Sequence, residues 1–192
     1  MQKRTFIRTA AVTALAVSVG LAWAQDNTFK IGLLLPLTGP FASTGKQLEN
    51  AARLYIAQNG DTVGGKKVQL IVKDDTGVPD VSKRLAQELV VNDKVNVLAG
   101  FGLTPLAMAS APIATQSKTP MVVMAAATSS ITEASPYIVR SSFTVPQVVT
   151  ILADWAIKND IRKVVTLVTT MRRAWIPRPG STSVLWRRVG WW

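Results

Sequence analysis

Between Thr38 and Gln47 the chain reads TGPFASTGKQ, with the glycines and lysine of a loop that cradles phosphate. A nucleotide-hydrolysing loop needs four residues between its glycines and a hydroxyl residue after the lysine to hold magnesium. Here five residues separate Gly39 from Gly45, and Gln47 follows Lys46, so spacing and metal ligand both fail. The free N–H groups of a helix beginning here would still attract an anion such as a carboxylate. Asp74 and Asp75 stand where a dinucleotide-binding fold places its ribose acid, yet the first loop lacks G-x-G-x-x-G. As a catalytic pair they have no evident partner.

Two further stretches carry hydrogen-bonding equipment. GFGLTP, residues 100–105, and AAATSS, residues 125–130, offer small residues, backbone amides and the hydroxyls of Thr104, Thr128 and Ser129. Such groups suit a small zwitterion or carboxylate and include no charged catalyst. The plainer role for these hydroxyls is capping the helices that follow.

Composition removes whole classes of chemistry. The chain of 192 residues has no cysteine and no histidine, which excludes disulfides, thiolate chemistry, Cys/His zinc sites and a Ser-His-Asp triad. No metal site, cofactor or enzymatic constellation is expected. The net charge of +11 suggests nucleic acid until its distribution is read. Lys3, Arg4 and Arg8 open the chain, and Arg172, Arg173, Arg178, Arg187 and Arg188 close it, all without an acid nearby. The stretch between holds 14 basic and 11 acidic residues, so the body is not a polycation and no nucleic-acid partner is expected.

These loops need elements to hold them, and the pattern supplies strands and helices in alternation. FKIGLLLPLTG gives a strand over Ile31 to Leu35, then a Pro/Gly loop. STGKQLENAARLYIAQNG predicts a helix capped by Ser43 or Thr44 and ending at Gly60, with Leu48, Ala51, Ala52, Tyr55 and Ile56 on its apolar face. A second strand follows in GGKKVQLIVKDD, with Val68, Leu70 and Val72 alternating against polar neighbours. The next helix carries Val81, Leu85, Ala86, Leu89 and Val90 at helical spacing. KVNVLAGF is a third strand, and TPLAMASAPIATQSK a third helix with a kink or break expected at Pro112. TPMVVMAAA is a fourth, wholly apolar strand, and SITE at Ser130–Glu133 fits a capping box. Regular β-α order predicts an α/β fold: a Rossmann-like parallel sheet with helices on both faces. RSSFTVP then breaks the pattern before the helix QVVTILADWAIKND and the strand RKVVTLVT, the first helix and strand of an incomplete second lobe.

The start of the chain reads as an export signal. A basic N-terminus precedes an apolar run from about Ala10 to Leu21, then the small-x-small pattern Ala22-Trp23-Ala24, with Gln25 as the first mature residue. The run is too short to prefer a membrane span, which needs roughly 20 apolar residues. KRTFIR is similar to a twin-arginine signal, but Lys3 replaces the first arginine, which favours the general secretory route.

As an ordered series, IGLLLPLTGPFASTGKQLENAARLYI, the Asp-Asp after the second strand, and PMVVMAAATS followed by SPYIVRSSFT resemble the type I periplasmic binding proteins, in their leucine/isoleucine/valine-binding branch. The resemblance covers residues 29 to about 170. It implies two lobes closing on a small amino-acid or carboxylate ligand, and an ABC permease of the inner membrane as partner. By position, the ligand would meet Ser43 and Thr44, Leu103 and Thr104, and Ala126, Ala127 and Thr128. Branched-chain binders usually offer a serine where Leu103 stands, so the resemblance leaves room for another amino acid, an amide or an aromatic acid. A receptor module sharing the fold is the competing reading.

The expected layout is a signal peptide over 1–24, a first lobe over 25–142, the start of a second over 143–170, and a foreign tail over 171–192. That tail holds five arginines and four tryptophans without an acid. Back-translated and shifted by one frame from Thr169, it is compatible with DYAPGLDSETWF, a turn and helix start like the family's. The expectation is a frameshift near Thr169–Thr170, a chain truncated in its second lobe and impaired in binding, against the alternative of a secreted fragment with a membrane-binding tail. Sequencing the gene beyond codon 170 checks this. An open shifted frame encoding a second lobe is expected, and immediate stop codons there would refute it.

Overall fold

The computed structural model describes residues 27–165. The expected signal peptide, 1–24, and the expected foreign tail, 171–192, lie outside the described residues. The first strand, β1 (Thr28–Leu35), is the axis of the fold. Leu33, Leu34 and Leu35 are all buried, as a central parallel strand covered on both faces requires. β1 pairs in parallel with β3 (Lys66–Asp74) on one side and β4 (Val97–Gly100) on the other. β2 (Thr62–Val63) forms a short antiparallel hairpin with β3 across Gly64 and Gly65, both at positive φ. With β5 (Met121–Val123) and β6 (Ile138–Arg140) the sheet runs β2-β3-β1-β4-β5-β6. The chain therefore steps outward on both sides of β1, and that reversal opens a crevice at the carboxyl edge.

Helices cover both faces. α1 (Ala42–Asn59) lays Leu48 and Ala52 on Leu33, Leu35 and Ala99. On the other face α2 (Pro79–Val91) and α3 (Thr104–Ser117) join Leu34, Leu98, Met121 and Val123 in the larger core. Leu85, Ala86 and Leu89 supply the buried stripe of α2. Ala107, Ala111 and Ala114 let α3 approach closely. Where these two helices meet, the buried hydroxyls of Ser82 and Ser110 lie 3.3 Å apart and partner one another.

The alternating α/β order, the parallel sheet and both helical layers match the expectation; several local readings do not. α1 begins at Ala42, so Ser43 and Thr44 lie within its first turn and cap nothing. The turn starts early because Ala42 N–H already bonds to Gly39 C=O and Gly45 N–H to Phe41 C=O. Ala51 and Tyr55 are exposed, because only the Leu48–Ala52 row of α1 meets the sheet. α3 runs unbroken through Pro112. The turn near Ser130 is a 3-10 turn, Ser129–Ile131, with no side-chain cap bond, whereas a capping box joins Thr144 and Gln147 at the start of α4 (Val145–Lys158). β2 and β6 were not expected; each is too short for an alternating pattern to register.

The last expected strand, 162–169, is corrected for its described part. Residues 161–165 have no regular structure, and Val165 is 96% exposed. A strand needs a neighbour to complete its ladder, and among the described residues none pairs with it.

Candidate functional site

Three loops at the carboxyl edge of the sheet frame the site: the first and second press on the end of β1, and the third is tied to the second. Gly45, in the first turn of α1, is so close to Pro36 that a Cβ there would lie 2.1 Å from its carbonyl oxygen. Gly100, at φ +112°, would bring a Cβ to the same distance from the Leu34 carbonyl. No side chain fits at either place. Gly102 stacks on the Pro36 ring, and Phe101, fully buried in a left-handed conformation, sends its N–H to Leu34 C=O.

The two adjacent aspartates divide their labour. Asp74 ties down the first loop: it accepts from Leu37 N–H at 2.8 Å, from the Thr38 hydroxyl at 2.6 Å and from Thr76 N–H at 2.8 Å. Burial works to raise its pKa, but these hydrogen bonds prevail and hold the carboxyl below its ordinary value. Asp75 is fully buried. It accepts from Gly77 N–H at 3.0 Å, while its second oxygen has no partner among the described residues. Burial first, then the neighbouring Asp74 charge, pushes it up to about 6 against the pull of the Gly77 amide. Asp74 is half-buried with both oxygens occupied and Asp75 is buried, so neither stands as a free carboxylate at the rim.

The second and third loops meet through their hydroxyls. Thr104, first residue of α3, and Thr128, preceding the 3-10 turn, lie 2.8 Å apart, Oγ1 to Oγ1. Ala126 N–H bonds to Phe101 C=O, which joins the two loops again through their backbones. Of the residues expected at the site, the structure brings together Thr104, Ala126, Ala127 and Thr128. Leu103 approaches from the same loop, its Cδ1 4.0 Å from the Cβ position on Gly77, where Phe41 Cδ2 lies at 3.7 Å. It therefore adds an apolar contact to the wall. Ser43 and Thr44 are exposed on α1 and join the group only through the shared anchorage on Pro36; Gln47 donates to the Ser43 hydroxyl at 3.3 Å.

Sequence reasoning gave no role to Arg140. From the end of β6 its guanidinium donates to the carbonyls of Ala126 and Thr128. Burial lowers its pKa. Its only sequence signal is a lone arginine closing an apolar triplet, which says nothing of a loop a dozen residues upstream.

A Rossmann-like lobe with hydroxyls gathered at the carboxyl edge of its parallel strands is an α/β fold of the doubly wound kind. More narrowly, the family described as periplasmic binding protein matches residues 28–173, and the chain belongs to it. It is 45% identical over 161 residues to Leu/Ile/Val-binding protein homolog 6 of Brucella abortus, covering 83% of this chain and 41% of that one. Among solved structures it is similar to an ABC-transporter solute binding protein of Rhodopseudomonas palustris BisB5 in complex with 3,4-dihydroxybenzoic acid. That likeness has 57% identity and a TM-score of 0.79, over 85% of this chain and 44% of the other. A second solute binding protein, from strain HaA2 with p-hydroxybenzoic acid, is 46% identical with a TM-score of 0.67, over 69% and 36%. The chain spans less than half the length of these relatives.

The aspartate pair predicts a pH signature. Asp75 binds its proton more tightly folded than unfolded, so its contribution to stability falls as pH rises from about 4 to 6. The difference is on the order of 2 kcal/mol. Asp74 acts oppositely: it stabilises above the ordinary carboxylate range and loses that effect as acid protonates it at still lower pH. Urea midpoints of wild type and Asp75→Asn at pH 4.5 and pH 7 check this. The wild type should lose stability toward pH 7 and the variant should not; parallel profiles would refute the assignment.

Proposed function

We propose that this chain is the solute-recognising part of the periplasmic component of an ABC importer, and that its ligand is a small aromatic carboxylate. The observation that carries the reading is the Thr104–Thr128 hydroxyl pair at the crevice beside the N-terminus of α3. Hydroxyls and the positive end of a helix dipole suit a carboxylate. An α-amino acid would also need acceptors for its ammonium. Here Asp74 is occupied by the first loop, Asp75 is buried, and the carbonyls of Ala126, Ala127 and Thr128 already accept bonds. Leu103, in place of a hydroxyl side chain, favours a ring. The hydroxybenzoates held by the two Rhodopseudomonas proteins support the same choice.

Export through the N-terminal signal, residence in the periplasm and docking on an inner-membrane permease belong to this proposal, supported by the family. So does the division into a first lobe, the start of a second and a tail foreign to the family, whose match ends at residue 173. The wall described is one side of a cleft, so the chain alone should bind weakly.

A heteronuclear NMR titration of the chain with 4-hydroxybenzoate and with leucine tests this. The Thr104 and Thr128 amides should shift with the benzoate, with roughly millimolar affinity, and respond less to leucine. A preference for leucine, or shifts only elsewhere, would sink the reading.

A further inference from the structure

We propose that Arg140 is the positioning residue of this ligand wall. From the end of β6 it grips the carbonyls of Ala126 and Thr128, which fixes the Thr128 hydroxyl against Thr104 and sets a positive charge behind the loop. The inference rests on the carboxylate reading for the purpose of the charge, and on geometry alone for the grip.

The local sequence explains why an arginine can serve here. β6 is a three-residue edge strand in which Ile138 is buried and Val139 exposed, so alternation returns residue 140 to the inner side. There it meets a loop that has left the sheet, whose carbonyls have no ladder to enter. A planar guanidinium has two donors set side by side, so one side chain can take two carbonyls two residues apart. Lysine offers a single ammonium and no fork. Val145 N–H takes the carbonyl between them, that of Ala127, at 3.0 Å. All three carbonyls of residues 126–128 are thus bonded from the segment 140–145.

What this stretch leaves without a partner among the described residues is a set of donors, the amides of Ala127 and Thr128. The grip therefore biases the loop toward an acceptor-rich ligand. Charge points the same way: the ion pairs among the described residues involve Arg53, Lys67, Lys73, Arg84 and Arg162, and none of them includes Arg140. An unpaired, partly buried cation beside a binding loop attracts an anion across a medium that screens poorly.

The experiment compares the full chain with Arg140→Met and Arg140→Lys, by amide hydrogen exchange and by titration with 4-hydroxybenzoate. In Arg140→Met, exchange at the amides of Ala126 and Val145 should rise on the order of tenfold or more, with the Leu33 and Val72 amides unchanged. Benzoate affinity should fall by a similar factor. Arg140→Lys, keeping the charge without the fork, should recover part of the affinity and little of the protection. Unchanged exchange at Ala126 and Val145 would overturn the proposal, and so would a uniform rise that includes Leu33. A wild type that ignores 4-hydroxybenzoate would defeat the carboxylate reading by itself, while the exchange pattern would still decide whether Arg140 holds the loop.

Discussion

The carboxyl end of β1 is where this molecule has least freedom. Leu34, Leu35 and Pro36 are enclosed by the first turn of α1, by the Gly100–Gly102 bend and by the start of the β3–α2 loop. In two of those approaches a Cβ in place of hydrogen would lie 2.1 Å from a backbone oxygen. Asp75 N–H adds a bond to Leu35 C=O and Phe101 N–H one to Leu34 C=O. The glycines matter for what they permit: three chain segments converge on one strand end, and the loops they carry then share a fixed frame. Phe101 accepts a left-handed backbone there, a strain of roughly 1–2 kcal/mol that its complete burial offsets.

On that frame the polar groups are sorted by direction. The acids are engaged elsewhere: Asp74 holds the first loop, and Asp75 is buried where its charge is disfavoured. The threonine hydroxyls meet at the N-terminus of α3, where the helix dipole is positive. Arg140 secures the third loop from behind by taking its carbonyls. In the proposed reading the preference of this wall for an anion arises from several weak biases of the same sign, and the ion pairs of the lobe, such as Lys73 with Glu88 and Asp93, lie on other residues.

Much of this was legible in the residues. Buried parallel strands announce themselves as apolar runs, so Ile31–Leu35 and Val97–Gly100 were readable, as was the Leu85–Leu89 stripe of α2. The hydroxyls of Thr104 and Thr128 were singled out because they follow strand ends, and the structure joins them. The elements that escaped are those whose pattern is shorter than its period: β2 with two residues and β6 with three. Ser43 and Thr44 misled as caps because the turn forms through backbone bonds at Gly39 and Phe41, which side-chain preference does not report. Arg140 could not be found locally at all. Its partners are set by the parallel register of β6 on β5, a long-range fact.

In the proposed function a carboxylate is received by Thr104 and Thr128 on loops already fixed to one another. A crystal structure of the chain grown with 3,4-dihydroxybenzoate addresses it directly. The ligand's carboxylate should lie within hydrogen-bonding distance of both threonines, with the three loops displaced by less than about 1 Å from their positions here. A ligand seated away from Thr104 and Thr128, or loops rebuilt around it, would contradict the account.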